Sequence, residues 1–157
     1  FLPYLMGERS PYWHDDLRGS FSGLALHHNR SHMIRAVMEG VAFSLRHIIE
    51  IATGMGIRFD EIALAGGGTA VTGWSQIFAD VCQLPVIIYA GEETVTRPLY
   101  AHCRTALDNT KSFSSILAST FGAPHTRLRP DLSLSSLYAE HFRTYQSLAD
   151  FTAETLN

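Results

Sequence analysis

The sequence predicts an α/β fold, and three observations carry that reading. Ile62, Ala63, Leu64 and Ala65 are apolar on both faces of a short run, the pattern of a strand buried from both sides in a parallel sheet. Gly66, Gly67 and Gly68 follow at once, allow φ > 0 and carry no Cβ, so the backbone can turn sharply and approach a ligand. Thr72 can then cap a helix with Trp74, Ile77, Phe78, Val81 and Cys82 at its apolar positions. Pro85 ends that helix before a second strand over 86–89. The result is a strand–glycine turn–helix–strand unit, whose crossover is expected to be right-handed. Its glycines lie where a strand's carboxyl end meets a helix's amino end, where α/β sheets place ligands and free N–H groups favour a polar or anionic group. Taken alone, the three glycines read equally well as a plain tight turn. They match neither a P-loop, since no Gly-Lys-Ser/Thr follows, nor GxGxxG.

The remaining elements follow in order. Residues 1–10 read as an extended segment that ends in a loop, with Pro11, Tyr12 and Trp13 as an aromatic corner and 14–18 continuing the loop. Residues 19–26 alternate like a strand, with Phe21 and Leu24 turned inward and glycines weakening it. Asn29 or Ser31 can cap a long amphipathic helix over 32–52, with Met33, Val37, Val41, Leu45, Ile48 and Ile51 on its apolar side and Gly54 and Gly56 stopping it. Gly40 in its interior costs about 1 kcal/mol relative to alanine, so something is expected to pack against its backbone. Further helices are expected over 98–107, broken by Asp108-Asn109-Thr110, and from Phe113 to Phe121, ended by Gly122-Ala123-Pro124. Residues 91–93 read as a loop, 127–133 as extended, and 135–151 as a last helix with Leu137, Tyr138, His141, Phe142, Tyr145, Leu148 and Ala149 on one broad face.

The totals limit what the chain can be. Its 157 residues, 46% hydrophobic, suffice for one domain with a core. A formal charge of -3 gives no electrostatic case for nucleic acid or an anionic membrane surface. No apolar run approaches the ~20 residues of a membrane helix. Cys82 and Cys103 fall in apolar helical patterns and read as buried thiols of a reducing, cytoplasmic compartment. The chain does not open on methionine or on a signal peptide, and it reads as the middle of a longer protein.

Candidate chemistry is sparse. His27, His28 and His32 read as solvated or capping side chains rather than a metal site. Asp15 and Asp16 offer oxygen for Mg²⁺ or a general base, although a solvated loop accounts for them as well. Glu39 and Asp80, both in mid-helix, read as hydrogen-bonded structural carboxylates. Tyr12 and Trp13 suit either stacking on a ligand or the core.

Gly19-x-Phe21-x-Gly23-Leu24, seven residues, then His32-Met33-x-x-Ala36-Val37-Met38-Glu39 resembles the second signature of the FGGY carbohydrate kinases. Residues 7–13 (GERSPYW) and Arg18-Gly19 resemble that family's xylulose and gluconate kinase members. Residues 64–86 resemble its adenosine motif and 129–151 its terminal proline segment and helix, so the resemblance spans nearly the whole chain. It implies an actin/hexokinase-like, ribonuclease H-like ATPase fold: a mixed sheet flanked by helices and lacking its first strands. Residues 1–157 would be part of the C-terminal, nucleotide-binding domain, with the N-terminal sugar-binding domain outside this chain. The implied ligands are ATP, Mg²⁺ and a small sugar, xylulose or a related pentulose or sugar acid; a homodimer is compatible. Gly66, Gly67, Gly68, Thr69 and Val71 would line the nucleotide. No catalytic base falls in this chain, which is therefore expected to be inactive alone. Departures from the family pattern are His14 in place of Asp or Asn, Ala70 and Val71 in place of basic or polar residues, and Glu93 through Tyr100 in place of small residues. They leave a second reading open, a non-catalytic remnant or interaction domain that keeps the kinase fold without ATP binding.

Overall fold

The computed structural model describes residues 1–71, 73–89, 96–107, 110–121 and 125–155. The expected cap at Thr72, the loop at 91–93, the break at Asp108-Asn109 and the end signal at 122–124 lie outside them. The chain opens with a threaded segment pinned by backbone hydrogen bonds. Leu2 and Ser20 exchange a pair, at 2.9 and 3.1 Å. Residues 19–26 therefore form a single bridge and not a strand: Leu24 is exposed, and Phe21 stays partly exposed against the Phe1 ring.

Helix α1 (Arg30–Gly54) is the longest element. Asn29 caps it, its Oδ1 accepting from the Ser31 and His32 amides, while His32 Nδ1 accepts from the Asn29 amide at 3.3 Å. An imidazole thus completes the reciprocal cap that glutamate usually supplies. The expected close approach at Gly40 is real: a Cβ there would collide with the Phe1 carbonyl oxygen. Strand β1 (Ile62–Leu64) leads through the glycine turn into α2 (Trp74–Cys82) and β2 (Val86–Ile88). Helix α3 (Thr96–Leu107), helix α4 (Phe113–Phe121), strand β3 (Thr126–Leu128) and helix α5 (Ser135–Thr155) complete the order. The stretch 127–133, expected to be extended, ends instead in a 3₁₀ turn, Leu132–Leu134, which starts where Asp131 accepts from the Ser133 amide.

The sheet is mixed, in the order β1-β2-β3. β1 runs parallel to β2, with Ile62 beside Val86 and Leu64 beside Ile88, and β3 is antiparallel to β2. Among the described residues β1 therefore has a strand on one side only, and Ala63 is exposed rather than covered from both sides as the sequence suggested. Cys103 is also exposed, since α3 packs chiefly on α4, and the half-buried Cys82 has its thiol pushed up to about 12 by burial.

The core lies where α1, α2 and α5 meet the threaded N-terminal segment. Leu2, Leu17, Phe43, Ile77, Val81, Tyr138, Phe142 and Tyr145 fill it. Each such side chain contributes about 1.5–3 kcal/mol on full burial. Leu137 and His141 of α5, expected on the same face as these residues, are exposed. Among the core's polar groups, Tyr4 and Tyr145 share a 2.6 Å hydrogen bond between hydroxyls. Arg46 of α1 donates to the Val81 carbonyl at 3.1 Å and lies 4.4 Å from the Phe142 ring centroid, joining three helices. Among the described residues no helix is long and apolar enough to cross a membrane.

Candidate nucleotide site at the glycine turn

The turn is built by short-range bonds. Gly66 ends β1 at φ +90°, a left-handed value that strains any side chain. Its carbonyl accepts from the Thr69 amide at 3.1 Å and from Thr69 Oγ1 at 2.8 Å. Gly67–Ala70 forms one 3₁₀ turn, and Gly73, also left-handed, starts α2. Trp74 then anchors the unit to α1: its Nε1–H donates to the Met38 carbonyl at 3.1 Å. The Trp74 ring also covers Gly68, where a Cβ would sit 3.3 Å from it.

The three glycines thus have three different explanations. Gly66 is required by its positive φ, and Gly68 lies under an indole that would have to give by a few tenths of an ångström to admit a Cβ. Gly67 is not left-handed, and among the described residues no atom lies within 4 Å of where its Cβ would be. Its bare backbone faces open space, so a flat or anionic ligand can approach it. Val71, 45% exposed, stands beside this face and lines an apolar cavity of about 320 Å³ with Phe21, Met33, Ile34, Val37, Met38 and Trp74.

The other candidates resolve as structural groups. Glu39 accepts from Arg35 Nε at 2.6 Å and from the Tyr138 hydroxyl at 3.0 Å. Asp80 accepts from Gln76 and from the Asp131 amide, both at 2.8 Å, and so fastens the segment after β3 to α2. The rings of His27, His28 and His32 cluster at 4.3–6.4 Å, and His28 Nδ1 accepts from the Ala25 amide within the loop before α1. Asp15 and Asp16 are exposed, with Asp16 3.9 Å from Arg18. Among the described residues no group of three or more His, Cys, Asp or Glu converges to hold a metal ion.

Two buried groups escaped sequence reasoning. Glu8 holds the loop before Trp13: its carboxylate accepts from the amides of Ser10 (2.6 Å), Tyr12 (2.8 Å) and Trp13 (3.2 Å). Trp13 is thereby held at φ +53° with 76% of its surface exposed, and Tyr12 bonds Asp150 of α5 at 2.8 Å. His47 is wedged edge-on against the Tyr12 and Phe142 rings, and its buried Nδ1 has no hydrogen-bond partner among the described residues.

Burial holds the His47 imidazole below its ordinary value, against the opposing pull of Asp150, Glu50 and Glu8. Imidazole ordinarily titrates near 6.5. The unfolded chain therefore takes up this proton before the native one, and stability falls as pH drops below about 6.5 until the lowered native value is reached. Denaturant midpoints of the wild type and His47→Phe between pH 7.5 and 5.5 test this. The wild type is expected to lose stability relative to the variant on acidification; a constant difference would refute it.

A mixed sheet flanked by helices, with an open glycine turn where strand meets helix, is an α/β arrangement with a candidate ligand site at the strand's carboxyl end. The sequence profile of the C-terminal domain of the FGGY family of carbohydrate kinases matches residues 1–97, and the chain belongs to that family. It is 30% identical to the xylulose kinase of Staphylococcus xylosus over 152 residues, which cover 96% of this chain and 31% of that enzyme. It is 33% identical to the gluconokinase of Bacillus subtilis (strain 168) over 127 residues, 77% of this chain and 24% of that protein. The crystal structure of ligand-bound xylulose kinase from Lactobacillus acidophilus superposes with a TM-score of 0.84 at 28% identity, over 97% of this chain and 31% of that one. Such neighbours share the actin/hexokinase-like ATPase fold. The chain thus spans less than a third of the length of these relatives.

Proposed function

We propose that the chain contributes the nucleotide-binding part of an ATP-dependent carbohydrate kinase, one that phosphorylates a hydroxyl of xylulose or of a related pentulose or sugar acid. The observation that carries this is Gly67, a glycine for which the described residues give no conformational or steric reason, at the junction of β1 and α2. The bare backbone of Gly66 and Gly67 fits the close approach of a nucleotide, with Gly68, Thr69 and Val71 flanking it. Magnesium, when bound, neutralises charge on the phosphates; the described residues offer it no cluster of their own. The residues here position and shield, and phosphoryl transfer depends mostly on such positioning. The catalytic base and the sugar-binding domain belong outside this chain, and sugar-dependent ATP turnover is expected only when they are supplied.

Calorimetric titration with MgADP tests the site. Valine at Gly67 meets no protein atom at its Cβ, so Gly67→Val is expected to keep the wild-type denaturation midpoint and to lose binding at least about tenfold. Equal binding by both proteins would remove the nucleotide from this turn. Absence of binding even with the rest of the kinase supplied would favour a non-catalytic remnant, the reading that the apolar Val71 prompts.

A further inference from the structure

A cavity of about 550 Å³ lies between α1 and α5, within the range of about 300–1,000 Å³ usual for small-molecule sites. Ala36, Glu39 and Phe43 of α1 line it. At about 100° per residue these fall on the side of α1 nearly opposite Met33, Ile34, Val37 and Met38, which line the cavity beside the glycine turn. The two cavities are therefore separated by the body of the helix. Helix α5 supplies the facing wall through His141, Tyr145, Ser147 and Phe151.

The polar groups of this cavity are held in place but not used up. Glu39 keeps 20% of its side chain exposed. Its Oε1 accepts from both Arg35 and Tyr138. Among the described residues no hydrogen bond engages its Oε2, the ring nitrogens of His141 or Oγ of Ser147. Apolar surface adjoins them: Phe43 and Tyr145 are buried behind the cavity, while Phe151 is 66% exposed.

Charge decides which ligand fits. Arg35 Nε lies 2.6 Å from Glu39, so the carboxylate is already neutralised and draws no further cation. An anion would have to sit against that carboxylate. A wholly apolar molecule would strip water from Oε2, His141 and Ser147 and give nothing back. A neutral molecule with several hydroxyls and one apolar face meets every requirement. Its hydroxyls donate to Oε2 and bond to His141 and Ser147, and its C–H face lies on the Phe151 ring. We propose that this cavity is a binding site for a neutral cyclic polyol, a monosaccharide in its ring form. The site is distinct from the glycine turn and does not rest on the nucleotide reading.

Amide NMR titration of the chain with D-glucose, protonated D-glucosamine and D-glucuronate tests it with one ring in three charge states. D-glucose is expected to bind with a Kd of about 1 mM or tighter and to shift the amides of Glu39, His141 and Ser147; the charged rings are expected to bind at least about fivefold more weakly. Phe151→Ala is expected to weaken D-glucose about fivefold or more, and Glu39→Gln about tenfold. Leu132→Glu, an exposed position outside the cavity, is expected to leave it unchanged. Denaturation midpoints show which variants are folded. Glu39 also holds Arg35 and Tyr138, so Phe151→Ala decides by itself if Glu39→Gln unfolds the chain. The proposed kinase binds its substrate sugar outside this chain, so these shifts do not report the reaction centre. Three results overturn the proposal: no shift of the three amides by D-glucose, a charged ring bound as tightly as D-glucose, or unchanged D-glucose affinity in Phe151→Ala or in a folded Glu39→Gln. The MgADP titration reads the glycine turn separately.

Discussion

Replacing Phe142 by alanine is expected to lower the stability of the chain by about 3–5 kcal/mol, the usual range for deleting a buried aromatic ring. Phe142 lies at the centre of the helical core, with ring centroids of Phe43 at 6.0 Å, His47 at 5.9 Å and Tyr145 at 6.1 Å. The Arg46 guanidinium sits 4.4 Å from the face of the ring. Alanine would therefore leave a cavity and also remove the surface on which the arginine rests. Against a typical total of about 5–15 kcal/mol, this is a large fraction. Urea denaturation followed by circular dichroism measures it. Phe142→Leu, which refills most of the volume, is expected to recover much of the loss. A change below about 1 kcal/mol in Phe142→Ala would mean that the three helices close up without the ring.

The second large effect is expected at Glu8. Its carboxylate is 6% exposed and accepts three backbone amides, while its own backbone exchanges hydrogen bonds with His14 at 2.9 and 2.7 Å. Alanine would strip the amides of Ser10, Tyr12 and Trp13 of their acceptor at once. An unsatisfied buried donor costs about 1–3 kcal/mol, and these are part-buried, so about 2–4 kcal/mol in all is expected. Trp13 would also lose what holds it at φ +53°. Glu8→Gln keeps one acceptor oxygen and turns an amide toward the other donors, so it is expected to fall between the two. Denaturation midpoints and the exchange rates of the amides of residues 10, 12 and 13 report both effects. Wild-type stability in Glu8→Ala, within about 0.5 kcal/mol, would show that water takes over the three amides.

The two sites mark the boundary of what the sequence discloses. The long helix was legible because Val37, Val41, Leu45, Ile48 and Ile51 repeat at helical spacing after Asn29, and Gly40 signalled a close approach that Phe1 makes. That spacing cannot say which apolar face is covered. Val41 and Ile48 read as core residues, yet the core is reached through Phe43 and His47. Glu8 was illegible because its three partners come together only when the loop through Pro11 folds back. Ala63 and Cys103 are expected to be buried from the apolar pattern around each, and exposure there follows from which elements stand beside β1 and α3. The glycine turn was placed correctly as a junction of strand and helix. Which glycine the fold itself demands could be decided only from dihedral angles and neighbouring atoms.

The indole that caps Gly68 has a use apart from holding the turn. The chain contains two tryptophans, and they report from opposite surroundings: Trp13 faces solvent, while Trp74 is half-buried, hydrogen-bonded to Met38 and stacked at 5.8 Å on Phe78. A soluble quencher therefore silences Trp13 first and leaves an emission signal that originates within van der Waals reach of the glycine turn. The protein carries its own optical gauge of whatever settles there.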